Sequence, residues 1–124
     1  MLIYLATPYS KYSGGTEEAY WEACKNAALL IKSGLRVFCP IAHSHPIAHH
    51  GDLPKMDHDL WLWQDSSMMK RCDIIVICQM EGWQDSYGVE WEKSQFEEAG
   101  KPVIYMEPGS AALSVKPTMD GRGK

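Results

Sequence analysis

Residues 85–92, "DSYGVEWE", place a serine, a glycine and two glutamates between an apolar run and a helix-like one. Glu90 and Glu92 are two residues apart, so on a helix they point to different faces and cannot serve one centre together. A serine and a glycine where a strand gives way to a helix offer a hydroxyl, free backbone N–H groups and the positive end of a helix dipole. That combination suits a phosphate or another anion, with Gly88 letting the backbone approach closely. The same residues also fit a plain Ser86 N-cap followed by an acidic first turn. The sequence leaves both readings open.

A second cluster is the histidine-rich segment holding His43, His45, His49 and His50, with His58 soon after. Neutral imidazole is a common metal ligand, so a metal-dependent hydrolase is one reading of it. The spacing matches no zinc pattern, however, and the expectation is a long polar loop with no metal and no other cofactor, in which His45, set by Pro46, faces the substrate. Of the five tryptophans, Trp83 follows a strand-like run and is the candidate for stacking on a ring. Trp61 and Trp63 cannot share a helix face, so at most one of them lines a pocket.

The elements that must position these residues follow from hydrophobic patterning. Residues 2–7 read as a strand closed by Pro8, and a helix capped by Thr16 runs to Gly34, with Glu17 and Glu18 in its first turn. Residues 35–41 read as a second strand, and residues 42–56 as the histidine-rich loop. Residues 57–72 have helical character, with Asp57 or Asp59 as cap and Lys70 and Arg71 suited to the last turn. Residues 73–80 are almost continuously apolar, which marks a strand buried on both faces. A helix over 89–99 ends at Gly100, and a strand follows to Met106.

That alternation of strand and helix predicts an α/β fold: a single-domain Rossmann-like or flavodoxin-like parallel sheet of four to five strands flanked by helices. Residues 1–108 make the domain, and 109–124 a partly flexible tail. In such sheets ligands sit outside the carboxyl ends of the strands, so the segments after Thr7, Ile41 and Met80 should converge on one pocket.

A chain of 124 residues can bury a core without staples. Its formal net charge of -4 argues against a nucleic-acid partner and for a small molecule. The first ten residues carry no basic n-region and no membrane-length apolar run, so a cytoplasmic, non-membrane protein is expected. Cys24, Cys39, Cys72 and Cys78 form no CxxC pair and read as reduced, mostly buried thiols.

Three segments together resemble the nucleoside 2-deoxyribosyltransferase superfamily, which includes nucleoside 5'-monophosphate N-glycosidases and a small uncharacterised branch. They are "IYLATPYS" near the start, Asp65 eight residues before Asp73 of "DIIVI", and "SYGVEWE" leading through "EEAGKPVIY" to Tyr105. The resemblance implies cleavage of the N-glycosidic bond of a (deoxy)nucleoside or its 5'-monophosphate, by hydrolysis or base transfer. It makes Glu92, eight residues before Gly100, the nucleophile that forms a covalent glycosyl-enzyme. Tyr4 becomes the tyrosine that hydrogen-bonds it, and Asp65 the acid that contacts the sugar or assists base departure. Ala6 and Pro8 become substrate contacts beside Ser86, Gly88, His45 and Trp83. Ser86 matches a serine of the nucleotide-cleaving members, whereas Glu90 stands where the family often has a small residue. A homodimer or larger assembly is also implied, with Ser110 or Ser114 reaching a neighbour's site. The competing reading is a nucleotide-binding protein without turnover.

Overall fold

The computed structural model describes residues 1–117. Its elements run β1 (Leu2–Ala6), α1 (Thr16–Lys32), β2 (Arg36–Phe38), α2 (Pro40–Gly51), α3 (His58–Arg71), β3 (Ile74–Cys78), α4 (Tyr87–Glu98), β4 (Val103–Met106) and β5 (Leu113–Ser114), with a single 3-10 turn at Trp83–Asp85 before α4. The strands form one sheet in the order β2-β1-β3-β4-β5. The first four are parallel, and β5 is antiparallel to β4. This is the expected Rossmann-like α/β architecture, with its ligand edge at the carboxyl ends of β1 and β3.

β1 and β3 lie at the centre of the sheet, and their alternating side chains feed two cores. Ile3, Leu5, Val76 and Cys78 pack under Ala23, Ala27 and Leu30 of α1. Tyr4, Ala6, Ile75 and Ile77 pack on the other face under Met69 of α3 and Val89 and Phe96 of α4. Burial on both faces explains why the β3 segment is apolar at nearly every position. All four cysteines are free thiols, three of them buried and Cys24 half-buried.

One element differs from the sequence-based expectation. The histidine-rich segment is not a loop: residues 40–51 form α2. Pro40 occupies its first turn, where a missing N–H goes unnoticed, and Pro46 is carried inside it. The buried positions Pro40, Ser44, His45 and Ala48 recur at helical spacing, a period that the polar composition concealed because a proline, a serine and a histidine stand at three of the four. Because α2 begins at Pro40, β2 is confined to Arg36–Phe38. In the tail, β5 folds back onto β4 and makes the fifth strand of the expected four to five. Buried Asn26 accepts a hydrogen bond from Gly109 N at 2.9 Å and donates to the Glu22 carbonyl at 2.8 Å, tying residue 109 to α1. The rest of the expected flexible tail, residues 118–124, lies outside the described residues.

At the helix ends, Asp57 caps α3 by accepting from Leu60 N at 3.1 Å. Thr16 is the first residue of α1 rather than its cap, which is Gly15 at φ 95 with no side-chain hydrogen bond. No helix among the described residues is long and apolar enough to cross a membrane.

Lys101 closes the far end of α3. Its Nζ donates to the carbonyl oxygens of Met69, Lys70 and Cys72 at 3.2, 3.0 and 2.7 Å, and lies 5.5 Å from the centre of the Phe96 ring. These are the carbonyls a helix leaves without partners at its C-terminus. Replacing Lys101 with Met should lower stability by roughly 1–3 kcal/mol, seen as a lower urea midpoint at unchanged m-value. A change under about 0.5 kcal/mol would contradict the bridging role.

Candidate functional site

The pocket opens where the chain leaves β1 and β3, and four segments reach it: Thr7, Tyr9 and Ser10 after β1, the inner face of α2, the α3 segment from Lys55 to Asp65, and α4 from Ser86 at its cap to Glu92. Two contacts hold the strand-end loops together. Glu81 accepts from the backbone N–H and the hydroxyl of Ser13 at 3.2 and 2.5 Å. Gly82, at φ 87, passes so near the Lys11 carbonyl that a Cβ there would lie 2.5 Å from it. Only glycine fits that crossing.

At the floor, Tyr4 of β1 donates a hydrogen bond from its hydroxyl to Glu92 Oε2 of α4 at 2.6 Å. Tyr4 is fully enclosed and Glu92 is 6% exposed. The Tyr4 ring is gripped by Phe38 and Phe96, with ring centres 5.8 and 5.5 Å away. Asp65 of α3 is buried and lines the same pocket. Three residues far apart in sequence therefore meet because β1, α3 and α4 share one sheet face.

Their electrostatics are coupled. Burial pushes the Glu92 carboxyl up to about 8, the Tyr4 hydrogen bond opposes that rise, and the charge of Asp65 adds to it. Burial alone lifts Asp65 to about 7. Burial and the two nearby carboxylates keep Tyr4 well above the usual phenol range, so it stays a donor. Two buried carboxyls that repel one another lose their protons in sequence. The first of these protons leaves near neutrality, and the Tyr4 hydrogen bond draws the Glu92 value down toward that of Asp65.

At the other end of the reading frame set by "DSYGVEWE", Ser86 is the N-cap of α4, accepting from Val89 N at 3.2 Å. It is also buried and lines the pocket, where its O–H remains a donor. Both readings of Ser86 are thus compatible. A Cβ at Gly88 would meet only Ser86 Oγ, at 4.0 Å, so no protein neighbour demands glycine and the space beside it belongs to the pocket. Glu90 and Asp85 are exposed and do not line it.

His45 is buried in the pocket wall with both ring nitrogens engaged: Nδ1 pairs with the Tyr9 hydroxyl at 2.5 Å and Nε2 with Glu17 at 2.8 Å. Tyr20 stacks on its ring at 4.5 Å. The other α2 histidines, His43, His49 and His50, are exposed. Among the described residues no three His, Cys, Asp or Glu side chains converge as a metal site.

Trp83 does not stand in the pocket. It lies edge-on to Tyr105, 5.8 Å between ring centres, and packs against the core under α4. The indole that lines the pocket is Trp61, whose Nε1 donates to the Pro54 carbonyl at 2.9 Å, while Trp63 is 72% exposed. Ala6 and Pro8 are fully buried behind the lining rather than in it. Ser110 and Ser114 make local turn contacts, Ser110 accepting from Ala112 N and Ser114 donating to the Lys116 carbonyl, and neither lines this chain's pocket. Lys55 and His58 at the rim were not anticipated as pocket residues. They flank the start of α3, and only the helical turn of α2 brings that segment back over the sheet edge.

The fold and site define an α/β protein with a buried carboxylate pair beneath a pocket at the carboxyl edge of its sheet. The chain belongs to the family described as Domain of unknown function (DUF1937), whose pattern matches residues 1–108. Comparison with curated proteins gives no match.

The raised carboxyls have a thermodynamic signature. In the unfolded chain Glu92 loses its proton near its ordinary value of 4.5, and in the folded protein only near 8. Between those values the folded state holds more protons, so stability falls as pH rises through the window. Gln at position 92 keeps an acceptor for Tyr4 without this titration. Glu92→Gln should therefore match the parent in Tm near pH 5 and exceed it by several degrees at pH 8.5. A difference independent of pH would contradict the burial argument.

Proposed function

We propose that the protein cleaves the N-glycosidic bond of a (deoxy)nucleoside or nucleoside 5'-monophosphate through a covalent glycosyl-enzyme on Glu92. The observation that carries this reading is the buried Tyr4–Glu92 hydrogen bond with Asp65 in the same pocket. A carboxyl aimed by a phenol, next to a second buried carboxyl raised to about 7, is the pairing such chemistry needs. It is also the pairing that the resemblance to the nucleoside 2-deoxyribosyltransferase superfamily implies for these three residues.

In the first step a Glu92 oxygen bonds to the anomeric carbon as the C–N bond breaks. The bonding pair leaves on the base nitrogen, and Asp65 supplies the proton that neutralises the base. Developing oxocarbenium character is stabilised by the adjacent negative charge. In the second step water, or another base, attacks the anomeric carbon. The ester C–O bond breaks, its electron pair returns to Glu92, and the incoming group's proton passes to Asp65.

A phosphorylated substrate is favoured by the donors at one end of the pocket: the Ser86 hydroxyl, the open N–H groups of the first turn of α4, and Lys55 at the rim. Asp85, the charge that would repel a phosphate, points to solvent and lies outside the lining.

Incubation with a panel of deoxynucleosides and their 5'-monophosphates, followed by chromatography, should reveal free base, with Glu92→Gln slower by about a thousandfold or more. The rate should be bell-shaped in pH and greatest between the two carboxyl steps, about 7 and about 8. It falls on the acid side where the Asp65–Glu92 pair holds both protons and on the alkaline side where it has lost both. Thermal stabilisation by nucleotides with no base release at high enzyme concentration would replace this reading with a binding protein that lacks turnover.

A further inference from the structure

α2 turns one stripe toward the pocket: Ile41, Ser44, His45 and Ala48 stand at helical spacing, and all four line it. Ile41 and Ala48 are apolar, and both ring nitrogens of His45 are already engaged by Tyr9 and Glu17. Ser44 is only 7% exposed, yet among the described residues its hydroxyl has no hydrogen-bond partner. A serine inside a helix ordinarily bonds back to a carbonyl one turn earlier. Ser66 and Ser94 of this chain do so, donating to the Trp63 and Trp91 carbonyls at 2.7 Å. Ser44 leaves the Pro40 and Ile41 carbonyls alone. Nor is its oxygen sealed in, because among the described residues the Thr7 hydroxyl is the buried side-chain group that has neither a partner nor an opening. The Ser44 hydroxyl is therefore free, and the stripe that carries it opens on the pocket.

The surroundings say which part of a ligand it meets. With the anomeric carbon at Glu92 and a phosphate toward the start of α4, a base extends into the rest of the pocket, between the α2 stripe and Trp61 and Leu62 of α3. That slot is apolar on both sides: Ile41 and Ala48 face one way, Trp61 and Leu62 the other. The Trp61 N–H is committed to the Pro54 carbonyl. Ser44 is the uncommitted hydrogen-bonding side chain of these walls. A serine here is also a poorer helix former than alanine, so local stability gives no reason for it.

We infer that Ser44 is a specificity-determining residue whose hydroxyl takes the exocyclic oxo or amino group on the six-membered ring of the departing base. A hydroxyl both donates and accepts, so it meets either group by rotating. A base that carries hydrogen at that ring position leaves the hydroxyl unmet and binds less tightly. The inference rests on the reading of the pocket as a nucleoside site and adds the residue that recognises the base.

Calorimetry on Glu92→Gln, which removes turnover, tests it with two pairs of probes. One pair is deoxycytidine 5'-monophosphate and the corresponding 2-pyrimidinone deoxynucleotide, which lacks the amino group. The other is deoxyadenosine 5'-monophosphate and its 6-unsubstituted purine counterpart. In the pair or pairs that bind, the substituted member should bind about fivefold tighter or more, and adding Ser44→Ala should bring that ratio toward one by weakening the substituted member. Ser44→Ala removes an unpartnered hydroxyl from a helix, so its ligand-free Tm should hold or rise, which a structural hydroxyl would not allow. A ratio that Ser44→Ala leaves unchanged, a ligand-free Tm lower by several degrees, or a loss that follows ribose against deoxyribose rather than the exocyclic group would overturn the inference. In each of those cases the nucleotides still bind and the nucleoside reading stands. Absence of binding by every nucleotide would overturn that reading and the role of Ser44 with it.

Discussion

Glu92 is a carboxylate with almost no access to water, and the hydroxyl that answers it comes from Tyr4, 88 residues away. That contact sets demands on the rest of the chain. Tyr4 must sit on a central strand with its ring clamped, which Phe38 and Phe96 do. The helix carrying Glu92 must pack on the same sheet face, which Val89 and Phe96 secure. Asp65, supplied by the helix beside it, raises the Glu92 carboxyl further through its charge. Fold and site are thus one arrangement: the core under α3 and α4 is also the floor of the pocket.

Such a floor is unfavourable to stability. A polar group without water needs partners, and a buried charge needs them more. The chain concentrates these unfavourable features at the pocket, with both raised carboxyls and the unpartnered Thr7 hydroxyl there. Elsewhere the buried polar groups are answered: Asn26 bonds the α1 backbone and the tail, and Lys101 gathers three carbonyls at the end of α3. Local rules are satisfied in the scaffold and relaxed at the pocket.

Much of this was legible in the sequence. The run at 73–80 announced a doubly buried strand, and the alternation of elements fixed the parallel sheet and the edge where its pocket lies. The separation of Glu92 from Glu90 was visible as helical geometry, with one buried and the other exposed in the structure. What composition concealed was α2, because histidine and proline read as loop while the spacing of Pro40, Ser44, His45 and Ala48 carries the helix. Missing that helix also hid the return of Lys55 and His58 to the pocket rim. The place of Trp83 is not legible locally, because an aromatic after a strand can turn to the core or to the pocket edge, and packing against Tyr105 decides. The Tyr9–His45–Glu17 chain joins three elements at long range, which no local pattern encodes.

The central claim is that Glu92 itself becomes bonded to the sugar. Mixing the protein with a deoxynucleoside 5'-monophosphate, quenching in acid during turnover and mapping the peptides by mass spectrometry tests it directly. The account predicts a deoxyribosyl-phosphate adduct on the peptide containing Glu92, localised to that residue and absent from Glu92→Gln. Base release with no adduct on Glu92, or with an adduct on another carboxylate, would contradict it.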